Sequence, residues 1–205
     1  MAAQGVASFG DVFNHIDGTT GSAEGVGFGQ LGVQSSPLYG GKVGYYFDEP
    51  GWKWLGIEME AFTSTQHLKQ QGVQVDPGFG APSDIQLTRG QNIRVTNWAP
   101  INIMFRYQIG RSEPYVGAGL GIYFLHIHNA ATDTSISSNA NLGLSTLSTK
   151  GGLRWRVTDH LSVFAEWKYN QVNFNYDNLP IGSTTGGGHA QYHTHIGVDG
   201  IGWHF

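Results

Sequence analysis

The sequence has no cysteine, so disulfides and thiolate metal sites are excluded. The absence fits an exported protein. Charge is scarce as well: Asp, Glu, Lys and Arg make up 13 % of the chain, where soluble domains carry roughly 25 %. No apolar run approaches the ~18 residues that a membrane-crossing helix requires. The chain therefore does not cross a bilayer as a helix. Basic blocks are missing, and the formal net charge is −4. Nucleic acid is excluded as a partner, because it would need a basic footprint. Met1-Ala2-Ala3-Gln4 lacks the charged and apolar regions of a secretion signal. Export would then imply a signal already removed.

What is present is glycine (31 residues), aromatic side chains (13 %) and strict alternation. Leu147–Phe174 shows the pattern best. Gly151, Leu153, Trp155 and Val157 share one face, opposite Lys150, Gly152, Arg154 and Arg156. After the break Thr158-Asp159-His160, Leu161, Val163, Ala165 and Trp167 oppose Ser162, Phe164, Glu166 and Lys168. Period two means β-strand, and the short polar break makes a hairpin. Further alternating strands are read at Gly5–His15, Val26–Phe47, Trp52–Thr65, Gln91–Tyr107, Pro114–His128 and His189–Phe205, giving eight strands. The 205 residues are expected to form a single domain, 1–205.

The connections also alternate. Long polar loops are expected near 17–25, 66–90, 129–145 and 175–188, and short turns near 48–51, 110–113 and 158–160. In an up-and-down barrel all the long loops fall at one end. That asymmetry belongs to transmembrane barrels, in which charges turn inward and apolar side chains meet lipid. A soluble barrel of lipocalin type would need a charged outer face, whereas here the charges share their face with the glycines. Tyr45, Phe47, Trp52, Trp54, Tyr107, Tyr115, Trp155 and Trp203 gather beside the short turns, as an interfacial girdle would. The expected fold is all-β: an eight-stranded antiparallel up-and-down transmembrane β-barrel.

The phrases YGGKVGYYFDEPGWKWLGIEME, PYVGAGLGIYF and GGLRWRVTDHLSVFAEWKY, with the terminal Phe205, resemble the small eight-stranded outer-membrane barrels, the OmpA/Opa-like transmembrane β-barrel family. The resemblance implies a bacterial outer-membrane location and contact with outer-membrane lipid and lipopolysaccharide. It also implies insertion by the barrel assembly machinery, with Phe205 as the signal. It implies no activity, because the family includes adhesins, anchors, small pores and enzymes. One residue departs from the pattern. Counting back by twos from Phe205 puts Asp199 on the lipid face, where a carboxylate is costly. A bulge at Gly200 would turn it inward and send Val198 and Ile196 outward.

Three sets of residues are candidates for function. Lys42, Glu58, Glu60, Arg94, Arg106, Lys150, Arg154, Arg156, Glu166 and Lys168 fall on inward faces. Eight strands leave room only for side chains, so these charges are expected to form an ion-paired closed interior, with Arg154–Glu166 as one pair. A small passive channel is the alternative. Second, His126/His128 and His193/His195 are i, i+2 pairs that aim both rings to one face, as metal ligation requires. The two strands are not neighbours, so neither a metal nor any other cofactor is expected. Third, PYVGAGLGIYFLHIH resembles lipid A deacylases of the PagL type. Such enzymes need a histidine–serine pair on the seventh strand, where this chain reads Asn170-Gln171-Val172-Asn173. Their catalytic residues cannot be carried over. A lipid A-modifying enzyme would have to use His126 or His128 with Ser145 or Ser148, and the nearest acid, Asp133, is in a loop. The reading favoured is a structural or binding barrel that meets a protein partner through its long external loops.

Overall fold

The computed structural model describes residues 2–21, 27–28, 31–32, 34–67, 72–76, 83–86, 92–128, 141–181 and 184–204, with side chains for 34–64, 74, 76, 94–124, 147–174, 189 and 191–204. Among them are twelve strands: β1 (Ala2–Gly21), β2 (Gly27–Phe28), β3 (Leu31–Gly32), β4 (Pro37–Tyr46), β5 (Leu55–His67), β6 (Gly72–Asp76), β7 (Ser83–Gln86), β8 (Asn92–Arg106), β9 (Ser112–His128), β10 (Asn141–Arg156), β11 (Leu161–Ile181) and β12 (Thr184–Trp203).

The eight long strands pair antiparallel in the order β1-β4-β5-β8-β9-β10-β11-β12. The sheet closes where β12 returns to β1, from Ala2↔Gly202 to Gly21↔Gly186. Closure leaves these strands no free edge. The short strands lie at the loop end: β2 and β3 pair with β1, β6 with β2 and β7 with β6.

The short turns have local causes. Gly51 and Gly110 both have positive φ, at 90° and 61°, a backbone region that costs glycine little. The Trp54 indole donates to the Gly51 carbonyl (2.6 Å) and closes its turn. In the third turn the Thr158 hydroxyl accepts from the backbone amides of His160 and Leu161.

The faces are inverted relative to a soluble barrel. Val43, Ile57, Met59, Ile103, Val116, Leu120, Leu153, Val163 and Ile201 are exposed outside, while Lys42, Glu58, Glu60, Lys150, Glu166 and Lys168 are buried inside. Tyr45, Trp52, Trp54, Tyr107, Trp155 and Trp203 are exposed beside the short turns. Of the expected girdle, Phe47 is half-buried and Tyr115 is turned inward. It shares the inward face of Glu113 and Gly117, and is 3 % exposed. Room for it comes from Gly152 on the paired strand, where an added Cβ would lie 2.8 Å from the end of the Tyr115 ring.

Other sequence expectations change, and the register left open around Asp199 is resolved. Residues 175–188 are mostly strand, because β11 and β12 keep pairing up to Ile181↔Thr184. Alternation has no meaning where both faces meet water, so this extension carries no periodic signal. In β8 the register shifts between Trp98 and Ile101, around Pro100, which cannot donate to a ladder. The extra residue inverts the faces beyond it: Ala99, Asn97 and Val95 turn inward, and Arg94 turns out to an exposed position. Finally, β12 has no bulge at Gly200. The register runs evenly through Ala165↔Asp199 and Glu166↔Val198. Val198 and Ile196 are therefore buried inside, and Asp199 is exposed on the outer face.

Candidate functional site: the charged interior

Nine of the ten expected interior charges line the lumen, sorted into two clusters. Arg94 is the one that does not, for the reason given by the β8 bulge.

The first cluster is a closed ring of three lysines and three glutamates. Lys42 Nζ lies 2.8 Å from Glu166 and 3.7 Å from Glu58. Lys150 Nζ lies 2.7 Å from Glu58 and also pairs with Glu60. Lys168 pairs with Glu60 and, at 3.2 Å, with Glu166. Each cation thus touches two anions and each anion two cations, so the ring is neutral and alternates in sign. Burying so many charges is costly. Alternation supplies every carboxylate with two cationic partners. The ring is supplied by four strands: Lys42 comes from β4, Glu58 and Glu60 from β5, Lys150 from β10, and Glu166 and Lys168 from β11, with Gly117 of β9 opposite Lys150. The lysines also lie over aromatic rings. Lys42 Nζ is 4.2 Å from the Phe164 centroid, and Lys168 Nζ is 5.2 Å from that of Phe62.

Along each strand away from the short turns, the interior becomes neutral. Asn97, Asn170, Ser148 and Thr194 are buried, followed by Phe62, Val95, Tyr123, Val172, Phe174 and Tyr192. The Ser148 hydroxyl donates to Asn170 Oδ1 at 2.7 Å. Ser148 therefore points into the lumen and cannot face an outer leaflet.

The second cluster sits at the short-turn mouth. Glu113, fully buried, pairs with Arg106 (3.7 Å), Arg154 (3.4 Å) and Arg156. Gln108 donates to it as well, at 3.2 Å. Arg106 stacks over the Tyr46 ring at 3.9 Å. Among the described residues, three guanidiniums against one carboxylate leave two positive charges unmatched. Burial and the fields of Arg154 and Arg156 push the pKa of His204 down. Its Nε2 is 2.8 Å from the Ser162 hydroxyl.

Arg154 does not pair with Glu166. Gly152 stands opposite Glu166, and Arg154 stands opposite Phe164, so the two charges belong to different clusters. Glu113 escaped the sequence reading, which placed it in a turn. Its signal was there: it lies two residues before Tyr115, on the same alternating face.

The histidine pairs are not brought together, since β9 and β12 are separated by β10 and β11. His193 and His195 lie on the outer face. The Tyr169 hydroxyl is 2.9 Å from His193 Nδ1, and His195 stacks on Trp167. The side chains of His126 and His128, and Phe205 entire, lie outside the described residues.

The chain is similar in fold to several solved outer-membrane proteins. OprG from Pseudomonas aeruginosa superposes with a TM-score of 0.51 at 15 % identity, over 98 % of this chain and 96 % of that one. Neisserial surface protein A (NspA) gives 0.45 at 14 % identity, over 97 % and 96 %. Ail of Yersinia pestis, solved with the heparin analogue sucrose octasulfate, gives 0.37 at 10 % identity, over 98 % and 99 %. No curated protein matches the chain. The description "Outer membrane protein beta-barrel domain" matches residues 2–205. With an inverted, closed barrel already in hand, that match places the chain in the bacterial outer membrane as a member of the outer membrane protein β-barrel family.

Proposed function

We propose that this barrel is a closed scaffold whose function lies in the connections at its long-loop end, where it binds a partner. The observation that supports the reading is the alternating ring of Lys42, Glu58, Glu60, Lys150, Glu166 and Lys168. A ring in which every charge is matched has no reason to hold an open aqueous path. With the lumen committed to packing, variable chemistry is left to the loops, and a rigid barrel presenting polar loops is a familiar recognition device. The partners on this reading are outer-membrane lipid and lipopolysaccharide, the barrel assembly machinery during insertion, and a protein engaged by the loops. A lipid A-modifying role loses one of its two candidate serines, because Ser148 is turned inward.

The test is to isolate the barrel with its partners from native membranes after cross-linking. Residues 68–71, 77–82 and 129–140 are replaced by short glycine–asparagine linkers in a second preparation. A partner lost with the loops supports the proposal. A partner retained by the shortened barrel, or an acyl chain missing from lipid A only when His126 and His128 are intact, contradicts it.

A further inference from the structure

The two interior clusters differ in their balance. The lysine–glutamate ring is neutral, whereas the mouth cluster, among the described residues, carries two positive charges beyond its one carboxylate, with Arg154 buried and Arg106 and Arg156 half-buried. Between the clusters is a cavity of about 60 Å³, lined by Lys42, Tyr46, Glu58, Arg154 and His204 among others. At 10–15 Å³ per water-sized position, it has room for about four such positions. That is the size of one small oxyanion, not of a metabolite.

The donors around the cavity are only partly used. The Tyr46 hydroxyl is buried without a hydrogen-bond partner among the described residues. Arg154 and Lys42 are themselves more than nine-tenths buried. The one carboxylate in the lining, Glu58, is taken by Lys42 and Lys150. A partly buried surplus of positive charge beside an unsatisfied hydroxyl is unfavourable when empty. It becomes favourable when an anion accepts charge-assisted hydrogen bonds from it.

We infer that the short-turn mouth of the barrel is a binding site for a single small oxyanion, of phosphate type, held by Arg154, Lys42 and the Tyr46 hydroxyl. Such a group reaches the periplasmic mouth either as a free ion or as the phosphomonoester head of a lipid in the inner leaflet. The inference is independent of what the distant loops bind.

The test uses folded protein in maltoside micelles, titrated with inorganic phosphate. Ionic strength is held constant with a bulky sulfonate. The readout is the midpoint of the heat-dependent gel shift. We expect a saturable rise in midpoint. Arg154→Met should bind at least about tenfold more weakly, the loss of one charge-assisted bond. Tyr46→Phe keeps the ring under Arg106 and so keeps the fold. It should weaken phosphate binding without lowering the phosphate-free midpoint by a comparable amount. A second arm compares phosphatidylcholine nanodiscs with and without phosphatidic acid, in the absence of free phosphate. A rise only in this arm, lost in both variants, supports the site and identifies the lipid head as its occupant. No saturable rise in either arm, or a rise that both variants retain, overturns the inference.

Discussion

Glu113 is the residue on which the mouth of the barrel depends. One carboxylate holds Arg106, Arg154 and Arg156 together. Removing one member of a buried ionic group leaves the others uncompensated, at a cost of about 3–5 kcal/mol. Glu113→Gln is therefore expected to destabilise the barrel by that amount in urea unfolding from vesicles, far more than a change at exposed Glu49. Asp199 is the opposite case. It lies on the outer face four residues before Trp203, with no partner among the described residues. A lipid-facing carboxylate is unfavourable, though less so than a lysine or arginine. Asp199→Leu should raise stability by about 1–2 kcal/mol in the same assay. An unchanged or lowered stability would mean that Asp199 is matched by a contact in the membrane. Both residues were legible in part. Alternation alone puts Asp199 outside, and it puts Glu113 on the face of Tyr115. What the sequence could not supply is the partner of each charge, because pairing depends on which strands are neighbours and on how long side chains bend.

At the scale of the strand, glycine sets the space available to the charges. Gly151 and Gly152 are adjacent in β10 but face opposite ways. A Cβ at Gly152 would lie 2.5 Å from the Ala165 carbonyl and 2.8 Å from the Tyr115 ring, whereas at Gly151 the nearest atom is 3.7 Å away. Gly152→Ala is expected to cost about 1–3 kcal/mol through overpacking. Gly151→Ala should stay within about 0.5 kcal/mol of the parent. Equal effects in paired unfolding curves would contradict the assignment of faces. The hairpin from Lys150 to Lys168 was readable because one side meets lipid and the other packs in the lumen, which enforces period two. β8 was misread at a single point. Pro100 marks the bulge in plain sight, yet a bulge adds one residue and so reverses every face beyond it. That is why Arg94 left the interior set and Ala99 joined it. The hairpin extension beyond Phe174 was read as loop for a different reason: outside the bilayer neither face is selected for apolar side chains, so strand pairing leaves no pattern.

For the whole molecule, the closed fold follows from inverted faces and alternating connections, both visible in the sequence. The function does not follow from the fold, since one barrel serves many roles. The central claim is that the alternating ring seals the lumen. Single-channel recording in planar bilayers tests it most directly. A sealed lumen gives no steady open level at neutral pH for the unmodified protein. A well-defined conductance in that protein, with an ion selectivity that changes in Arg154→Gln or Glu166→Gln, would contradict it.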